Sequence, residues 1–165
     1  SSFENRARST LLTHLIAPGF FSSLRTDQQL GYVVSAVNTQ LRDRGGISFV
    51  IQSPVAGPDI LRDKTLAYMS LQERVLSEMS DEEFGANKSG LIAKLTQRDK
   101  NLLQRSKRYW ADLDRGVMTF DSNMQLAKAV SDLGKDDMQA FLKEVNGKLG
   151  NQYMMVYSEG KFASP

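Results

Sequence analysis

The apolar residues of this chain change their spacing twice, and that change limits the folds that it can adopt. From Phe3 to Ile16 they recur about every three or four residues, which is the period of an amphipathic helix. From Tyr32 to Ser53 they recur at the spacing of two that is typical of β-strands, with Val33 and Val37 on one face and Tyr32, Val34 and Ala36 on the other. From Asp59 to about Lys148 the helical period returns. The pattern therefore predicts an antiparallel hairpin among helices.

The first helical segment contains a proline, which predicts an early end. The residue before a proline avoids the helical backbone conformation, so Ala17 is expected to stop the helix. Pro18 is then in a suitable position to begin a second, short helix that carries Phe20, Phe21 and Leu24.

The predicted strands lie on either side of a turn. Residues 32–41 and 47–53 have the strand alternation, and residues 42–46 (RDRGG) have the composition of a turn. Because that turn joins two strands and does not open a helix, its glycines do not predict a phosphate site. Residues 152–157 predict a third strand after the last helix.

The helices after the hairpin are the largest part of the chain. Ser80 is expected to cap a new helix, and helices are also expected near residues 101–118, 122–131 and 135–146. These elements predict the α+β class, as a two-layer domain whose antiparallel sheet is covered by helices on one face. Three strands are few for about six helices, so we expect further N-terminal strands upstream of Ser1.

Composition favours one domain over residues 1–165 and excludes several kinds of site. The chain has no Cys and one His, which excludes disulfides, thiolate metal sites and any site within the chain that needs two imidazoles. The net charge is +2, which by itself favours neither nucleic acid nor a membrane surface as a partner. We therefore expect no nucleic-acid partner and no membrane partner.

Isolated polar residues have ordinary structural explanations. His14 has no ligand partner at helical spacing, so we interpret it as a surface or half-buried histidine. The acidic residues 81–83 and 136–137 fall in the first turns of predicted helices, where the helix dipole favours them. The basic and aromatic residues 105–110 could stack on RNA, but a solvated helix face with Trp110 packed inward is the simpler interpretation.

Residues 20–34 combine features that a purely structural explanation covers less well. The polar residues 25–29 lie between two apolar runs, and Gly31 marks an abrupt change from helix to strand. Arg25 would leave the end of the helix and Tyr32 the start of the strand, which would bring two hydrogen-bond donors suited to carbonyl oxygens to one junction. The alternative is an internal cap in which Arg25 binds helix-end carbonyls.

Residues 24–32 (LRTDQQLGY) also resemble a known signature. They are similar to the L-R-T-x-x-Q-L-G-Y motif of the pitrilysin–insulysin family of zinc metallopeptidases, whose zinc motif is the inverted H-x-x-E-H. Residues 17–21 (APGFF) and 49–53 (FVIQS) agree with that family in order, and residues 114–116 and 120–121 resemble its bacterial members.

The resemblance implies a mechanism divided between two halves of a large protein. In the family, two His and a Glu of the amino-terminal half bind Zn2+, and a further Glu acts as the base on the bound water. The carboxyl-terminal half closes over the peptide. The family's Arg and Tyr correspond to Arg25 and Tyr32, which the resemblance makes supporting catalytic and substrate-binding residues that contact the scissile-bond carbonyl and its tetrahedral intermediate.

The chain departs from the family pattern in one respect, because H-x-x-E-H is absent. The resemblance therefore implies the C-terminal, non-zinc-binding domain of a metalloendopeptidase, inactive alone, with no metal in this chain and with peptides and the N-terminal half as partners. The alternative is a family member without catalysis that acts as a peptide-binding or scaffold module. An exposed sheet edge predicts a homo-oligomer. Similarity to bacterial members suggests the periplasm, with the cytoplasm as the alternative.

Overall fold

The computed structural model describes residues 2–41 and 44–162. Within them lie six α-helices and two strands, and a π-helical turn that follows the first helix directly. In chain order these elements are α1 (Ser2–Phe21), the π-helical turn (Ser22–Asp27), β1 (Val33–Leu41), β2 (Arg44–Gln52), α2 (Pro58–Glu78), α3 (Asp81–Thr96), α4 (Leu102–Asp114), α5 (Ser122–Ser131) and α6 (Lys135–Leu149).

Helix α1 continues through Pro18, so the predicted end at Ala17 is wrong. A proline inside a helix removes one backbone hydrogen bond and disturbs the preceding turn. In that turn the hydroxyl of Tyr68 donates to the carbonyl of Ile16 at 2.7 Å. Ile16 and Phe20 are also buried on either side of the proline. Contacts from α2 and the core thus stabilise the conformation that the local sequence disfavours.

Strands β1 and β2 form the predicted antiparallel hairpin. Val34 pairs with Ile51 and Ala36 with Phe49, which places these four side chains on the face that packs into the core. The second strand begins earlier than expected, because residues 44–46 pair with β1 as part of β2. The other two residues of the predicted turn, Arg42 and Asp43, lie outside the described residues.

Helix α1 packs directly on the inner face of this hairpin. The approach is close at Gly45, where an added Cβ would lie 3.2 Å from the Arg6 Cα atom and would collide with the side chain of Ser9. Ser9 also accepts a hydrogen bond from the Asn38 amide at 3.1 Å. On the outer face Val37 and Val50 are exposed. The sheet is therefore covered on one face only, which confirms the predicted two-layer α+β class.

The other helices pack around α1. Helix α1 contacts α3, α5 and α6, while α2 packs on α6 and α3 on α5. Ser80 caps α3 as predicted, since its side chain accepts a hydrogen bond from the backbone N–H of Glu83 at 3.1 Å. The acidic residues 81–83 and 136–137 lie in the first turns of α3 and α6, also as predicted. Hydrophobic period and capping residues therefore place these helices well.

The third strand predicted at residues 152–157 is wrong. That segment has no regular secondary structure, and Met154 is 86% exposed. A strand needs a neighbouring strand for its backbone hydrogen bonds, and the sheet of the described residues contains β1 and β2 alone. Across the same residues, no helix combines the length and the apolar character needed to cross a bilayer.

Candidate functional site

The connection from α1 to β1 is held by a buried leucine on each side of its polar residues. In the π-helical turn the N–H of Gln28 donates to the carbonyl of Ser23, five residues earlier, at 3.0 Å. The N–H of Leu30 then donates to the carbonyl of Leu24 at 2.9 Å, and both leucine side chains are buried. Residues 25–29 are therefore kept at the surface by the burial of their neighbours.

Backbone contacts fix where the first strand begins. The N–H of Tyr32 donates to the carbonyl of Gln52 at 2.9 Å. Gly31 lies so close to the second strand that an added Cβ would be 2.5 Å from that same carbonyl oxygen. A residue with a side chain at Gly31 would have to displace backbone atoms. The glycine therefore sets the position of Tyr32, whose side chain is 70% exposed.

The structure brings the side chains of Arg25 and Tyr32 together. The guanidinium carbon of Arg25 lies 5.9 Å from the centroid of the Tyr32 ring, at the outer limit of a cation–π contact. Neither the guanidinium nor the phenol hydroxyl has a hydrogen-bond partner within the described part of the chain, so the alternative in which Arg25 caps helix-end carbonyls is wrong. Both groups are available to donate to an added acceptor.

These two side chains line an open cavity of about 570 Å³. Gln29 contributes a further polar group to its wall, and Phe21 and Val55 contribute apolar surface. Phe21 and Val55 are both exposed. The cavity wall thus combines hydrogen-bonding residues with exposed apolar side chains. Ligand sites show the same combination.

The described residues do not provide a zinc site. They contain no group of three or more His, Cys, Asp or Glu side chains that could hold a metal ion. His14, the one histidine of the chain, is half-buried on α1 and faces α3. Burial lowers its pKa and the charge of Lys94 lowers it further, while a hydrogen bond with the backbone of Asn87 raises it. No catalytic step through a metal is therefore assigned to this chain.

Two arginines of α4 lie close to the carboxylate of Asp99, which precedes the helix. Arg108 donates to the Asp99 carboxylate at 2.8 Å and stacks over the Tyr109 ring at 4.7 Å, and Arg105 lies 3.7 Å from the same carboxylate. The hydrogen bond from Arg108 lowers the pKa of Asp99. The prediction that Trp110 packs inward is wrong, since this side chain is 70% exposed.

The inward side of α4 carries a polar network that the sequence did not indicate. The Asp112 carboxylate is fully buried and accepts hydrogen bonds from the Ser122 hydroxyl and, at 2.6 Å, from the Arg115 guanidinium. Arg115 also donates to the Gln40 side chain of β1 at 3.2 Å. Because Asp112 points inward, Trp110, two residues earlier, lies on another side of the helix.

Gln29, for which no functional role was predicted, has a backbone φ of 51°. This left-handed conformation is where helix ends usually place glycine or asparagine. The sequence does mark this position, because Gln29 directly precedes Leu30 and Gly31, which are both buried.

Comparisons with known proteins show which proteins this chain is similar to. The family model "PQQ synthase PqqF-like, C-terminal lobe domain 4" matches residues 11–110. Among curated proteins, Protease 3 of Escherichia coli O6:H1 is 27% identical over 96% of this chain and 18% of its own length. Insulin-degrading enzyme-like 2 of Arabidopsis thaliana is 35% identical over 86% of this chain and 15% of its own.

The fold is also shared with a solved structure. The crystal structure of pitrilysin superposes with a TM-score of 0.78 at 28% sequence identity, and the match covers 87% of this chain and 15% of that chain. The chain thus spans less than a fifth of the length of these relatives. The resemblance to the pitrilysin–insulysin peptidases is confirmed, and the chain belongs to the family of PqqF-like C-terminal lobe domains.

Proposed function

We propose that residues 1–165 are the C-terminal, substrate-clamping domain of a larger zinc metalloendopeptidase that hydrolyses peptides. The Zn2+ would be bound by the N-terminal half of that protein, and Arg25 and Tyr32 of this chain would donate hydrogen bonds to the scissile carbonyl. The observation that carries the proposal is the meeting of these two unpaired donors at one cavity. The names of the relatives, Protease 3 and insulin-degrading enzyme-like proteins, support it.

The two donors suit the chemistry of peptide hydrolysis. When a nucleophile adds to a peptide carbonyl, negative charge develops on the carbonyl oxygen. A guanidinium and a phenol placed beside that oxygen bind the charged intermediate more strongly than the neutral substrate. Both groups act here as hydrogen-bond donors. The pair therefore lowers the energy of the intermediate without any proton transfer of its own.

The backbone that carries the two donors is held in place without substrate. Leu24 is fully buried directly before Arg25, and the backbone N–H of Tyr32 is bound to the carbonyl of Gln52. A fixed backbone reduces the reorganisation that the donors need during the reaction, and donors that need little reorganisation contribute most to the rate.

The test is a pair of substitutions in the full-length protein, Tyr32→Phe and Arg25→Met, assayed on a fluorogenic peptide. Loss of one such donor typically costs about 2.7–4 kcal/mol of transition-state stabilisation, so kcat should fall about 100- to 1,000-fold. Tyr32 is exposed, so Tyr32→Phe should leave the melting temperature unchanged. Tyr157→Phe, which removes the hydroxyl of another exposed tyrosine outside the cavity, is the matched control.

An unchanged kcat in Tyr32→Phe would remove Tyr32 from the mechanism. A full-length sequence without H-x-x-E-H, together with peptide binding but no turnover, would favour the other candidate, a catalytically inactive peptide-binding or scaffold module.

We also propose that the hairpin takes part in assembly. Within residues 2–41 and 44–162, β1 and β2 pair only with each other, so each has an outer edge with unpaired backbone groups. Such an edge can pair with a strand of a second copy, which gives a homo-oligomer. Sedimentation of this chain should then show a concentration-dependent oligomer, and a monomer at all concentrations would overturn the proposal.

A further inference from the structure

We infer that Gln29 is a third polar contact of the candidate site and binds the backbone of the peptide substrate. The inference rests on the proposed function, since it takes the cavity beside Arg25 and Tyr32 to be the place where the peptide lies. Three observations support it: the backbone conformation of Gln29, the free state of its amide and its place in the cavity wall.

The backbone conformation is unfavourable for a glutamine. A left-handed φ, here 51°, brings Cβ close to the following carbonyl; glycine adopts it readily and asparagine or aspartate occasionally. The conformation has a structural purpose, because it lets the N–H of Leu30 turn back to the carbonyl of Leu24 at 2.9 Å. Glycine at position 29 would serve that purpose without strain. The turn explains the conformation but not the glutamine side chain.

The amide of Gln29 is not used within the protein. It has no hydrogen-bond partner among the residues that the structure describes, and Gln29 lines the cavity together with Arg25 and Tyr32. The neighbouring Gln28 is different, since its amide donates to the Ser23 hydroxyl at 3.1 Å and it is not part of the cavity wall. The two adjacent glutamines therefore differ. The Gln28 amide is hydrogen-bonded within the protein, whereas the Gln29 amide is open to a ligand.

The chemistry of the amide complements that of the two donors. Arg25 can only donate hydrogen bonds, whereas a primary amide both donates and accepts. An extended peptide presents N–H groups as well as carbonyls, so the Gln29 carbonyl oxygen can accept from a peptide N–H close to the bond that is cleaved. Such a bond has similar strength in the bound substrate and in the transition state. Gln29 should therefore affect KM more than kcat.

The experiment compares Gln29→Gly, Gln29→Asn and Gln28→Ala in the full-length protein with a fluorogenic peptide as the probe. Gln29→Gly removes both the amide and the strain, so its melting temperature should equal or exceed that of the parent. Its KM should rise about 5- to 10-fold, the equivalent of one lost hydrogen bond, with kcat within about twofold. Gln29→Asn keeps an amide and tolerates the left-handed conformation, so it should recover part of the loss in KM.

The control Gln28→Ala should leave KM unchanged. A parental KM in Gln29→Gly, or an equal rise in Gln28→Ala, would overturn the inference. The outcome is distinct from that of the proposed function: a fall of kcat in Tyr32→Phe with a parental KM in Gln29→Gly overturns only the role of Gln29. An unchanged kcat in Tyr32→Phe removes Tyr32 from the proposed mechanism, whatever Gln29→Gly does.

Discussion

Gly19→Ala should lower the stability of the chain while Tyr68 keeps its hydroxyl and raise it when that hydroxyl is removed. The Cβ of an alanine there would lie 2.6 Å from the Tyr68 hydroxyl oxygen, closer than a carbon can approach. That hydroxyl donates to the Ile16 carbonyl at 2.7 Å, and the Tyr68 ring is buried and held edge-on to Phe20 at 5.3 Å. The alanine must therefore push the ring away from its carbonyl partner.

The magnitudes of the two effects follow from the geometry. Alanine is better than glycine in a helix interior by about 1 kcal/mol. Loss of this bond leaves the buried Tyr68 hydroxyl without its partner, which costs about 1–3 kcal/mol. Gly19→Ala alone should thus lower the free energy of unfolding by about 1 kcal/mol. In a Tyr68→Phe background the nearest remaining ring atoms lie at 3.7 and 3.9 Å, an ordinary contact, so the same change should raise that free energy by about 1 kcal/mol.

The assay is urea unfolding of the four chains, followed by circular dichroism. The predicted coupling between the two positions is about 2 kcal/mol, well above the error of additivity for independent sites. Additive effects, or a Gly19→Ala chain that is more stable than the parent while Tyr68 is intact, would refute the reasoning.

Three further predictions concern other parts of the fold. Gly31→Ala should lower kcat/KM of the full-length peptidase on a fluorogenic peptide, because its Cβ would lie 2.5 Å from the Gln52 carbonyl and shift the strand that carries the site; parental kinetics would contradict this. Burial raises the pKa of Asp112, but hydrogen bonds from Ser122 and a neighbouring arginine outweigh it and hold that pKa below its ordinary value. The contribution of the ionised Asp112 to stability is therefore present at neutral pH and is lost as the pH falls through its folded-state pKa. Urea titrations should show that Asp112→Asn lowers the free energy of unfolding by about 2–3 kcal/mol at pH 7. They should also show that the stability of this variant depends less on acid pH than that of the parent. Trp110→Ala should change the melting temperature little, because the ring is 70% exposed.

Much of the fold could be predicted from the sequence, because hydrophobic period and capping residues act locally. The strand alternation placed β1 and β2, and Ser80 marked the start of α3. The continuation of α1 through Pro18 could not be predicted in this way, since it depends on Tyr68, which is 52 residues from Ile16 in the chain. A third strand was predicted at residues 152–157, but a strand forms only where its backbone pairs with a neighbouring strand, and this segment pairs with neither β1 nor β2.

The site was predictable in part. A change from helix to strand within a few residues placed Arg25 and Tyr32 at one junction, and the structure brings them together. The environment of Trp110 depends on which side of α4 faces the core, and that is decided by the buried Asp112 rather than by the aromatic residues. The conformation of Gln29 depends on the bond between Leu30 and Leu24, which no short motif rule predicts for a glutamine.

The π-helical turn makes the geometry of this region sensitive to chain length. Each ring closed by a π-type hydrogen bond contains one residue more than the ring of an α-helix. Deletion of one residue at Ser22 or Ser23 would remove the extra residue of the ring, so α1 could continue in regular form with the later side chains close to their present places. One further residue would instead rotate every later side chain of the turn by about 100° and turn the guanidinium of Arg25 away from the Tyr32 ring. Insertions in this turn should accordingly be tolerated far less than substitutions of the exposed Ser22.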